Sequence, residues 1–92
     1  MSTSFGEMID TLREAQHVVR AEIECFEQDR GRDSEVLMQL GRLVRKLAGQ
    51  ADSLLVVMTD RDAADTLVEV AEEIFDFFSG TEQKIENLLR AG

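Results

Sequence analysis

The chain has 92 residues, 43% of them apolar and 32% charged, with a net charge of −9 and no proline, tryptophan or tyrosine. That length is expected to make one domain, residues 1–92, with a modest hydrophobic core. A balance this acidic argues against nucleic acid and anionic membranes as direct partners, because both repel it.

The first helix is expected from Ser4 to near Asp29. Ser4-Phe5-Gly6-Glu7 reads as a capping box, with the Ser4 hydroxyl and Glu7 positioned to satisfy free backbone donors. Phe5, Met8, Ile9, Leu12, Ala15, Val19, Ile23 and Phe26 follow at steps of one, three and four, which places them on one stripe. Asp29-Arg30-Gly31-Arg32-Asp33 then reads as a turn, with Gly31 supplying its backbone conformation.

A second helix should start at Asp33 or Ser34, both good N-caps. Leu37, Leu40, Val44, Leu47, Ala51, Leu54 and Met58 form a strict heptad stripe that keeps phase across Gly41 and Gly49. One helix to about Thr59 is therefore expected, although Gly49 offers a place to end it early. The stripe slips between Met58 and Ala64, and Thr59-Asp60-Arg61-Asp62 offers capping side chains there, so this segment reads as a corner.

The third helix carries Ala64, Leu67, Ala71, Ile74 and Phe78. Ile85 and Leu88 stay in phase beyond Gly80, which favours one helix to about Arg90. The Ser79-Gly80-Thr81-Glu82 segment is the point where a fourth could begin. The expectation is an all-α, antiparallel up-and-down bundle of three long helices, or four if Gly49 or Gly80 breaks one.

The apolar faces are broader than a two-helix seam needs. Leu54-Leu55-Val56-Val57-Met58 is apolar all round, Val36, Leu43 and Val57 flank the second stripe, and Phe75, Phe77 and Phe78 spread across the third helix. An all-round apolar turn would leave an exposed patch on a small monomer. A homodimer is therefore expected, with Leu55, Val56, Val57, Phe75 and Phe77 as its self-association residues.

Chemistry is sparse. Glu14 and His17 have the Glu-x-x-His spacing of helical di-iron centres, but such centres need the motif twice with two further glutamates. His17 is the only histidine and Cys25 the only cysteine, so triads, zinc centres and an internal disulfide are not expected. A single cysteine fits a reduced, cytoplasmic setting, with a Cys25–Cys25 bond across a dimer as the alternative. Asp60-Arg61-Asp62 resembles the opening of a calcium loop but lacks its central glycine and closing glutamate. No glycine-rich phosphate loop occurs. Neither a secretory leader nor a membrane span is expected: the N-terminus lacks a basic-then-apolar pattern, and no stretch reaches about 20 apolar residues. No catalytic residue, cofactor or metal ligand is assigned, and the chain is read as a non-enzyme.

Charge is uneven. Residues 1–29 hold seven acids against two bases, residues 30–50 two against five, and residues 51–92 ten against three. The basic cluster Arg42, Arg45 and Lys46 is expected to pair with the chain's own acidic helices. Asp62, Asp65, Glu69, Glu72, Glu73 and Asp76 should line the outer ridge of the third helix, with no base from Asp62 through Gln83. As a solvated face the ridge needs no partner; as a functional one it docks on a basic surface of another protein.

These features favour a non-enzymatic protein that self-associates and binds or modulates a protein partner, as an adaptor, regulator, chaperone or inhibitor. The partner would present a basic surface or a hydrophobic patch. Two alternatives are an inhibitor that mimics nucleic acid to occupy a basic nucleic-acid-binding protein, and a purely structural self-assembling subunit.

Overall fold

The computed structural model describes residues 4–28 and 34–91. They form three α-helices, α1 (Phe5–Gln28), α2 (Ser34–Asp60) and α3 (Asp65–Ala91), with no strand among the described residues. The turn expected around Gly31 and the Asp33 cap fall outside the described residues. Gly49 and Gly80 interrupt neither helix. The fold is thus the three-helix version of the expected bundle.

The start of α1 shows the Ser4 half of the expected capping box: the Glu7 N–H donates to Ser4 Oγ at 3.2 Å, and the Met8 N–H to the Ser4 carbonyl at 3.1 Å. The α2–α3 corner is built differently from the side-chain caps expected there. The Ala63 N–H donates to the Met58 carbonyl at 3.0 Å and the Asp62 N–H to the Thr59 carbonyl at 3.4 Å. Between them Asp62 adopts φ 52°, the one non-glycine positive φ in the structure's described residues. This is the Schellman arrangement, with Asp62 in the left-handed position that glycine usually fills. Asp62 thus acts through its backbone. Ala64 was expected on the α3 stripe. It is instead exposed, because its carbonyl caps α3 by accepting from the Leu67 and Val68 amides. Ala63 turns inward in its place.

Contacts fix the directions. Arg45 reaches Glu82, and Gly41 faces Ile85, so α2 and α3 run antiparallel. Arg20 covers Phe77 and Glu27 meets Lys84, so α1 and α3 run parallel. Phe5 and Met8 share an opening with Leu54 and Val57, so α1 runs against α2. The bundle is a rod of 46 × 21 × 20 Å.

The heptad stripe of α2 forms one wall of the core, with every member buried except the half-buried Leu40. Phe78, Leu37, Met58, Ile74, Ile85, Val19 and Val44 are the largest fully buried side chains. Each contributes about 1.5–3 kcal/mol of burial free energy before entropic costs. The Phe78 ring meets Phe77 edge-on, with centroids 5.6 Å apart. Most interhelical contact lies between α2 and α3, and α1 packs more loosely on both. Met8 was expected on the buried α1 stripe; it is exposed, because it borders the loosely packed α1–α2 seam.

Candidate interaction surfaces

The buried stripe of α3 runs through Ala71, Ile74, Phe78 and Ile85. Asp65, Glu69, Glu72 and Asp76 follow one another at steps of four, three and four, which is a single helical row. That row lies about half a turn from the Ile74–Phe78 line and so faces outward from the core, with Glu72 bordering the α2–α3 seam. Glu73 stands beside it, and all five are exposed. None has an ion-pair partner among the described residues. Asp62, the sixth ridge acid read from the sequence, is also exposed, but it sits in the corner before α3 rather than on the helix.

The structure divides the five self-association residues among three seams. Leu55 and Val56 open onto the α2–α3 seam beside Thr59 and Glu72, and Phe75 lies one turn beyond Glu72 on that side. Phe77 lies in the α1–α3 seam, with the Arg20 guanidinium 5.0 Å from its ring centroid. Val57 faces the α1–α2 seam. Leu55, Phe75 and Phe77 pack partly on the bundle's own core, whereas Val56 and Val57 remain exposed. The five residues do not form one continuous surface.

The basic cluster pairs in part with acidic α3. Arg45 Nε donates to Glu82 Oε1 at 3.0 Å, and its Nη2 lies 3.9 Å from Glu86 Oε1. Lys84 pairs with Glu27 across the α1–α3 seam. These are solvent-exposed pairs, each contributing about 0–1 kcal/mol. Arg42 shares the Arg45 side of α2, and Lys46 turns the other way, into the α1–α2 seam.

That seam is the feature that motif reading missed. It opens to a volume of about 680 Å³ bounded by Phe5, Met8, Lys46, Gly49 and Val57, and to about 220 Å³ beside Thr11, Leu12 and Gln50. Its signal was present in the flanking positions Val36, Leu43 and Val57, which no single stripe absorbs. Thr81 was also missed: it is the one buried polar side chain among the described residues, a turn beyond Phe78 on the core face.

Glu14 and His17 are exposed on α1, and no group of three or more histidines, cysteines, aspartates or glutamates among the described residues is placed to hold a metal ion. Cys25 is a free, exposed thiol. No described helix is long and apolar enough to cross a membrane. No family model, curated protein or solved structure matches the chain.

Proposed function

We propose that this protein is a non-enzymatic binding module that engages a basic surface on another protein through the outer row of α3. The observation that supports this most is the unpaired row itself. Bases elsewhere reach acids on neighbouring helices, as Arg45 and Lys84 do, yet none among the described residues reaches Asp65, Glu69, Glu72, Glu73 or Asp76.

Like charges three and four residues apart repel by a few tenths of a kcal/mol per pair. That small cost is offset in a complex, where a basic partner neutralises several carboxylates at once. The helix holds the row rigid at a rise of about 1.5 Å per residue, so the carboxylates present a fixed spacing rather than a diffuse cloud. Such a surface speeds encounter and selects partners by charge more than it adds affinity.

The test is charge reversal. Asp65→Lys, Glu69→Lys and Glu72→Lys together should abolish capture of the partner from native lysate and leave the helical circular dichroism unchanged. Capture that survives the triple reversal would reduce the row to a solubilising face. A captured partner that nucleic acid displaces would favour the nucleic-acid-mimicking inhibitor. A chain that assembles with itself and captures nothing would favour the structural subunit.

A further inference from the structure

We propose that the α1–α2 groove is the docking site for a second copy of this chain, in a two-fold dimer whose axis runs along the helices. The groove faces away from the α3 row, so this surface is separate from the one proposed to hold a basic partner.

Of the seven exposed large hydrophobic residues among those described, Met8 and Val57 line this groove, Val36 and Leu43 share the heptad row of Val57 on α2, and Val18 shares the row of Thr11 on α1. They are 37–58% exposed. Val36, Leu43, Gln50 and Val57 recur every seven residues, which is one face of α2, and both Gln50 and Val57 line the groove. Val18 falls seven residues beyond Thr11, which lines it from α1. The strip from Val36 to Val57 is about 30 Å long at 1.5 Å per residue. Monomers seldom leave so long an apolar strip in water.

Charge argues for a second copy as the occupant. Along the α1 edge of the groove, Glu7 and Glu14 alternate with Thr11 and Val18 at helical steps. Along the α2 edge, Lys46 lies beside Gly49 and Ser53. The α1 edge is acidic, and the α2 edge carries the base Lys46. A two-fold axis parallel to the helices sets each α1 edge against the other copy's α2 edge at equal height. Met8 lies between the levels of Gln50 and Leu54, so six residues further along α1 Glu14 stands level with about Lys46. The groove is therefore complementary to itself, as a two-fold interface must be.

The arrangement also resolves the repulsion between two chains of −9. It joins them on the face that sets Lys46 against Glu14 and leaves the two acidic α3 rows on opposite outer sides. Gly49 adds room, since a Cβ there would meet nothing within 4 Å. The long face of the rod, 46 by about 20 Å, is on the order of the roughly 800 Å² each partner buries in a stable complex. Of the five residues read from the sequence as self-associating, only Val57 lies on this face.

Sedimentation equilibrium over a concentration series tests the proposal. The wild-type chain should approach twice its 10.3 kDa mass. Leu43→Asp and Val57→Asp should each weaken dimerisation at least about tenfold, the scale of a central interface contact, with helical circular dichroism unchanged. Val56→Asp, on the α2–α3 seam, should leave it unaltered. Lys46→Glu and Glu14→Lys should each weaken the dimer, and the two together should restore it. A chain that stays monomeric at high micromolar concentration would overturn the proposal and leave the groove to a helix of another protein. So would a dimer lost with Val56→Asp but kept with Leu43→Asp, or a double charge swap that fails to restore it.

Discussion

Gly41 faces Ile85 so closely that a Cβ on the glycine would come within 3.2 Å of Ile85 Cγ2. Here α2 and α3 approach, and Ile85 is fully buried and stiff at its branched Cβ. Gly49 and Gly80 have nothing within 4 Å of the same position. One substitution should therefore have opposite effects along the bundle. Gly49→Ala and Gly80→Ala should each stabilise by about 1 kcal/mol through helix propensity, raising Tm by about 4–8 °C. Gly41→Ala gains the same propensity but overpacks the crossing, at a cost of about 1–3 kcal/mol, so it should lower Tm. Thermal unfolding of the three variants at low, monomer-favouring concentration checks this. Equal rises at all three sites would contradict the close approach.

Asp62 holds a left-handed conformation at the α2–α3 corner. Asp62→Gly should stabilise the chain by about 0.5–1 kcal/mol, because glycine adopts that conformation without the Cβ penalty. Asp62→Ala should destabilise it by a similar amount. Urea unfolding midpoints at unchanged m-value report both. The reverse order would mean that the Asp62 side chain, rather than its backbone, closes the corner.

The heptad stripe of α2 was fully legible in the sequence, because Leu37 through Met58 repeat at a spacing that only one helix face satisfies. Phase across Gly80 likewise foretold a continuous α3. The corner was placed correctly but its chemistry was not. Capping oxygens on Thr59, Asp60 and Asp62 suggested side-chain caps, whereas the chain closes through backbone bonds around a left-handed Asp62. The self-association residues failed to gather for a related reason. Leu55, Val56 and Val57 advance by 100° each, so three consecutive apolar residues divide between two seams once α1 and α3 are in place. Which seam stays open depends on how tightly α1 packs, and periodicity carries no information about that.

Thr81 lies on the core face between Phe78 and Ile85, where the apolar pattern breaks. Thr81→Val should stabilise by about 0.5–1 kcal/mol by adding a buried methyl group. Phe78→Ala, at the centre of the same face, should cost about 3–5 kcal/mol. That is a large share of the roughly 5–15 kcal/mol typical of a whole domain. Chemical denaturation of the two variants compares them directly. A destabilised Thr81→Val chain would indicate that the hydroxyl holds a hydrogen bond within the fold.

The acidic row of α3 is proposed to bind a basic partner. The most direct test is capture by tagged wild-type protein and by the Asp65→Lys/Glu69→Lys/Glu72→Lys variant, in parallel at low and high salt, with the captured proteins identified by mass spectrometry. The account predicts a stoichiometric basic partner on the wild-type chain at low salt, released at high salt as screening shortens the reach of exposed charges, and absent from the variant. A partner retained by the variant or held through high salt would contradict it, and so would a wild-type chain that captures none.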